Sequence, residues 1–125
     1  MKKYAMYIGR WQNWHKGHEW LINQQLEKGK DCWVAIRDVQ KDENNPKSAQ
    51  EVLQELQKEP FFTNNWDKIM LSIIPNIESV NYGRGVGYDV IYHEPPTDVA
   101  AISGTAIRTG HMMPDGTITY DSNKG

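Results

Sequence analysis

The sequence predicts an α/β domain built on a parallel, doubly wound sheet. Three observations carry this. Apolar runs without polar alternation stand at 4–8, 32–36 and 69–74, each bounded by charge, glycine or proline. Such runs suit strands buried on both faces of a parallel sheet. Helical stretches lie between them. The first strand, helix and strand together take about thirty residues, the span of a right-handed βαβ unit.

Tyr4 to Ile8 (YAMYI) is the first strand. Gly17 to Lys28 is a helix whose stripe holds Trp20 and Leu21, extended by Gln24 and Leu26, with Gly29 as its C-terminal stop. Cys32 to Ile36 (CWVAI) is the second strand. Residues 37–47 are polar and rich in turn formers, hence a loop. Ser48 can cap the next helix, with Glu51 at capping-box spacing and Val52, Leu53 and Leu56 as the apolar face. Pro60 ends it. IMLSII, 69–74, is the third strand, closed by Pro75, and DVIYH, 89–93, is read as a fourth. Between those two lies the glycine-rich VNYGRGVGYD, and Ile102 to Arg108 enters another short helix.

The 125 residues fit one domain, 1–125, with a core of about 4–108 and a short tail, 109–125. Net charge is −2, the pI about 6.1 and the mean hydropathy −0.72. No global basic field argues for nucleic-acid binding, and no run is long enough to span a bilayer. The apolar stretch near the N-terminus is too short for the core of a signal peptide. The one cysteine, Cys32, cannot form an internal disulfide and sits in an apolar run, which fits a buried thiol in a reducing compartment. The expected location is the cytoplasm.

The chemistry concentrates in GRWQNWHKGH, 9–18, between the first strand and the first helix. A turn that only reverses the chain needs none of Arg10, His15, Lys16 and His18. Three readings fit them. The histidines can cap the helix and do no chemistry. They can begin a zinc site with Cys32, His93 and His111, although none of these shows paired ligand spacing. Or they can hold phosphate: Gly17 permits close backbone approach, the helix start favours an anion, and Arg10, Lys16 and both imidazoles add donors. In an open α/β sheet ligands bind beyond the carboxyl ends of the strands, where this turn lies. AISGTAIR, 101–108, is a second loop-to-helix entry. Ser103 or Thr105 can cap it, and Arg108 can grip phosphate oxygens. Two anion-holding helix starts in one small domain suit a polyphosphate stretched between them.

Gly9-Arg10-Trp11-Gln12 with His15-Lys16-Gly17-His18 resembles the GRFQPFHxGH signature of nucleotidyltransferases, and Ile102 to Arg108 resembles that family's ISSTxIR signature. The GRWQ start and Asn45-Pro46 are most similar to the nicotinamide-nucleotide adenylyltransferase branch. Asn13-Trp14 stands where Pro-Phe is usual, Gly104 where a serine is, and Lys47-Ser48 where Phe-Thr is. The resemblance implies a Rossmann-like fold of nucleotidyltransferase type. It implies attack by an acceptor's phosphate oxygen on the α-phosphorus of a nucleoside triphosphate, with release of pyrophosphate and with Mg²⁺ as cofactor; the metal's protein ligands are unknown. His15, His18 and Arg108 would be catalytic. Gly9, Arg10, Lys16, Gly17, Arg84, Ser103 and Thr105 would bind the nucleotide, and Trp14, Asp38 and Asn45 the acceptor. Trp11 and Trp14 could stack on a base or a nicotinamide ring, whereas Trp20 is better placed for packing. ATP with an acceptor such as nicotinamide mononucleotide is favoured. CTP with a phosphorylated alcohol and a non-catalytic nucleotide-binding module are the alternatives. The expected partners are small molecules, with no nucleic acid and no membrane. The oligomeric state is left open, a homo-oligomer included.

Overall fold

The computed structural model describes residues 2–100. Three parallel strands, β1 (Tyr4–Gly9), β2 (Asp31–Asp38) and β3 (Ile69–Pro75), form one sheet in the order β1-β2-β3. Helix α1 (Lys16–Leu26) carries the chain from β1 to β2. Helix α2 (Ala49–Leu56) and the single turn α3 (Pro60–Thr63) carry it from β2 to β3, and a short α4 (Thr97–Ala100) follows a long irregular stretch. The domain is α/β with a parallel sheet, as expected.

Local chemistry sets the element boundaries. The Ser48 hydroxyl accepts from the Glu51 amide at 3.2 Å while the Glu51 carboxylate accepts from the Ser48 amide at 3.4 Å, the reciprocal capping box that S-x-x-E spacing predicts. The main run of α2 ends at Leu56, before Pro60, which opens α3 as its first residue because it needs no amide donor there. Gly29 turns the chain out of α1 at φ 78°, a left-handed conformation that suits glycine. The apolar stripe of α1 is Ile22 and Leu26, with Leu21 packed beside them. The expected Trp20 and Gln24 are not its centre, and the Gln24 amide donates to the Trp20 carbonyl instead.

Successive strands step in one direction across the sheet, so right-handed crossovers place α1 and α2 on the same face. Tyr7, Cys32, Val34, Ile36 and Ile69 on that face pack with Ile22 and Leu26 of α1 and with Ala49, Val52 and Leu56 of α2. This corrects the expectation of strands buried on both faces. Only the middle of β2, Val34 to Ile36, is buried throughout. Tyr4, Met6, Ile8 and Met70, which alternate with the core residues on the outer strands, are exposed. A continuous apolar run does not reveal which of its two faces a helix will cover.

The predicted strand at 89–93 is a second correction. These residues form no ladder, and Val90, Ile91 and Tyr92 are exposed. The short VIY run is hemmed in by glycines on one side and Pro95-Pro96 on the other, and Pro favours strand ends and edges. Among the described residues no helix is long and apolar enough to cross a membrane.

Candidate functional site

Beyond the carboxyl end of β1, His15 is the N-cap of α1. Its Nδ1 accepts from the Gly17 amide at 3.1 Å, and the Nδ1 of His18 accepts from the His15 amide at 3.4 Å. This is a capping box with imidazoles in both roles. The capping reading of the histidines is therefore geometrically correct, and it carries a chemical consequence. In a neutral imidazole one nitrogen accepts and the other donates. With both Nδ1 atoms accepting, both Nε2 atoms carry hydrogen. Neither Nε2–H has a hydrogen-bond partner among the described residues. The rings stack with centroids 3.7 Å apart, which presents the two N–H groups as a pair.

Electrostatics keep that pair uncharged. Burial pushes His18 down to about 3, with the neighbouring His15 as a second cause. Burial also lowers His15, partly opposed by the Glu19 carboxylate. Two stacked imidazolium rings would repel, and removing either from water adds to that cost. The Gly17 amide is already spent on His15, so side chains, more than first-turn amides, supply the donors an anion would meet.

Gly17 has a different role from the one its place in the motif suggests. A Cβ there would lie 2.8 Å from Cε1 and 2.9 Å from Nδ1 of His15. The bare Cα makes room for the imidazole. Gly9 does the same for Trp11, whose Cε2 would lie 2.9 Å from an added Cβ. Trp11 adopts φ 51°, an unfavourable conformation for a bulky residue. It is held there by its indole N–H, which donates to the Ala35 carbonyl at 3.0 Å. Trp11 is only 6% exposed, so it packs and does not offer a stacking face to a ligand.

Two loops meet above the sheet edge. The Gln12 amide donates to the Lys47 carbonyl and accepts from the Lys47 amide, both at 2.9 Å. Arg10 donates through Nη1 to the Asn45 Oδ1 at 3.1 Å and is otherwise exposed. Asn45 is buried, and its side-chain nitrogen donates to Asp42. Its amide is thus engaged within the protein at both ends. On the other side Trp14, half-buried, packs against His18, Phe61 and Phe62. Glu19 fixes it by accepting from its indole N–H at 3.0 Å, and also pairs with the exposed Lys16 at 3.2 Å.

The structure therefore gathers Gly9, Arg10, Trp14, His15, Lys16, Gly17, His18 and Asn45 around one turn. Asp38 stands exposed at the end of β2, on the same sheet edge. Arg84 lies in the exposed 82–90 loop, which lines a shallow cavity with its own residues and with none of the histidine cluster. Ser103, Thr105, Arg108 and His111 lie outside the described residues. The zinc reading finds no support in geometry: Cys32 is sealed in the core with its thiol pushed up by burial, and no group of three His, Cys, Asp or Glu is gathered among the described residues. Gln12, Glu19 and Asp42 were not singled out by their chemistry. Only the Asx-turn pattern of DENN gave Asp42 a sequence signal.

No family model matches the chain, and no curated protein or solved structure matches it either.

Proposed function

We propose that the protein is a nucleotidyltransferase that joins a nucleoside monophosphate from ATP to a phosphorylated acceptor, such as nicotinamide mononucleotide, and releases pyrophosphate. One observation carries this reading: the reciprocal His15–His18 cap, which leaves two neutral, stacked imidazoles whose Nε2–H donors have no partner among the described residues, at the start of α1. The HKGH residues that resemble the family signature are the ones that build it, and the resembling ISGTAIR segment would complete the phosphate site. On this reading the three described strands are one half of a doubly wound, Rossmann-like sheet.

The chemistry asked of these residues is modest. An acceptor phosphate is already ionised near pH 7, so no strong base is needed. The barrier falls by alignment and by stabilising charge on the phosphoryl oxygens. Neutral N–H donors suit that task, since they can follow charge that builds in the transition state without first losing a proton. His15 and His18 would donate to the oxygens around the α-phosphorus. Arg10, whose partner is a neutral amide, would bring full positive charge to the polyphosphate, Lys16, paired with Glu19, would add a further donor, and Trp14 would flank the acceptor. By the same resemblance a Mg²⁺ ion would be carried mainly by phosphate oxygens and would offset their charge.

The test is pyrophosphate release with Mg²⁺ and two substrate pairs, ATP with nicotinamide mononucleotide and CTP with a phosphorylated alcohol. Release with the first pair supports the proposal. Release only with the second moves the protein to cytidylyl transfer, and binding of a triphosphate without release makes it a nucleotide-binding module.

A further inference from the structure

We infer that Asp42 and Asn45 form a positioning relay that holds the Arg10 guanidinium, with its charge intact, for the polyphosphate of the nucleotide. The inference rests on the nucleotide site proposed above and assigns a role to residues one step removed from the ligand.

The relay is read from the direction of its hydrogen bonds. The Oδ1 of Asp42 accepts from the Asn44 amide at 2.8 Å, from the Asn45 amide at 2.8 Å and from the Asn45 side-chain nitrogen at 3.1 Å. Backbone bonds between Asp42 and Asn45, at 2.9 and 3.2 Å, close the same turn. A side-chain amide can sit either way round, and here the carboxylate selects the orientation, because only the NH₂ end can face it. The carbonyl end is then left toward Arg10, whose Nη1 donates to it at 3.1 Å. Asn45 is 8% exposed, and the two Gln12–Lys47 bonds anchor the loop just beyond it, so the acceptor stands on a fixed frame.

The acceptor's neutrality is the informative feature. A carboxylate would hold the guanidinium more tightly, and it would also cancel the charge that an anion must find. An amide oxygen orients one N–H and leaves the remaining donors of the fork free. The negative charge that sets the orientation is kept on the far side of Asn45 from Arg10, on the exposed Asp42. With both ends of its amide spent on Asp42 and Arg10, Asn45 acts through Arg10 and not as a direct contact to the acceptor substrate.

The experiment is a double-mutant cycle read by titration calorimetry with MgATP, with inorganic tripolyphosphate as a second probe. Arg10→Ala weakens MgATP binding by about tenfold or more, the scale of one charge-assisted contact. Asn45→Ala weakens it three- to tenfold, and adds nothing in the Arg10→Ala background. Asp42→Ala follows the same pattern, and since Asp42 is exposed it serves if Asn45→Ala does not fold. Asn45→Asp, which keeps an acceptor oxygen but adds a charge, weakens binding as well. The KM for nicotinamide mononucleotide is unchanged in all of them. Additive losses in the Arg10→Ala background, or a raised acceptor KM in Asn45→Ala, overturn the relay. Full MgATP affinity in both Asp42→Ala and Asn45→Ala, with Arg10→Ala impaired, overturns it while the nucleotide site stands. Failure of the wild type to bind MgATP or tripolyphosphate removes the nucleotide reading itself.

Discussion

Gly17→Ala separates stability from function at the histidine pair. Gly17 is the second residue of α1, where alanine is ordinarily the better helix former by up to about 1 kcal/mol. Here the new methyl would stand 2.8 Å from Cε1 of His15, and ordinary contact begins at 3.4 Å. The difference asks the ring to move by roughly 0.6 Å. The ring cannot retreat without lengthening its 3.1 Å bond from the Gly17 amide or disturbing its 3.7 Å stack on His18. Loss of the cap costs about 1 kcal/mol, nearly offset by the helix preference, so unfolding free energy changes by no more than about 1 kcal/mol. Turnover has no such offset. A misplacement approaching 1 Å costs up to about a hundredfold, so kcat for pyrophosphate release falls roughly ten- to a hundredfold. The assay pairs urea unfolding, followed by circular dichroism, with steady-state pyrophosphate release. Wild-type kcat in a stably folded Gly17→Ala protein would mean that the position of His15 is immaterial to turnover.

His18→Ala lowers kcat by on the order of a hundredfold while changing the dissociation constant of MgATP only slightly, as expected for a donor used mainly in the transition state; equal losses in kcat and binding, or none, contradict this. With His18 down at about 3, its ring resonances stay fixed between pH 6 and 8 in the ligand-free protein, while those of His15 titrate with a midpoint below 6.5; a titration centred near 6.5 for either ring sinks the claim of a neutral pair. The same shift has a stability sign. The unfolded chain takes up a proton near 6.5 that the folded His18 refuses, so this contribution is complete above 6.5 and is lost as the pH falls toward 3. For His18 the loss is about 2 kcal/mol at pH 5 relative to pH 7, and it shrinks in urea unfolding of His18→Gln. Gly9→Ala drives a methyl to 2.9 Å from the Trp11 indole, which its bond to Ala35 keeps in place; overpacking of this kind costs about 1–3 kcal/mol, and an unchanged melting temperature would show that Trp11 yields freely.

Much of the fold was legible because its signals are local. The apolar runs marked all three strands of the sheet, Ser48 and Glu51 marked the start of α2, and Gly29 the end of the α1 region. The exposed face of β1 was not legible, since burial on the second face depends on where distant helices pack. Val90 to Tyr92 misled for a similar reason: strand-forming residues make a strand only where a neighbour offers a ladder. At the candidate site, the GRWQ and HKGH residues singled out one turn, which the structure builds as the start of α1. Their division of labour was hidden, because it depends on side-chain orientation. Gly17 seats His15, Gly9 seats Trp11, and Asn45 faces Arg10, and each of these follows from a contact that spacing alone does not encode.

Transfer of a nucleotidyl group, as proposed, is tested most directly by following the α-phosphate. ATP labelled at the α-phosphate is incubated with the protein, Mg²⁺ and nicotinamide mononucleotide, and label and pyrophosphate are counted together. Label is expected to move to the acceptor with one pyrophosphate released per transfer, and His18→Ala to reduce both in parallel. Label that stays on ATP, with no pyrophosphate released from ATP or from CTP with a phosphorylated alcohol, would contradict it.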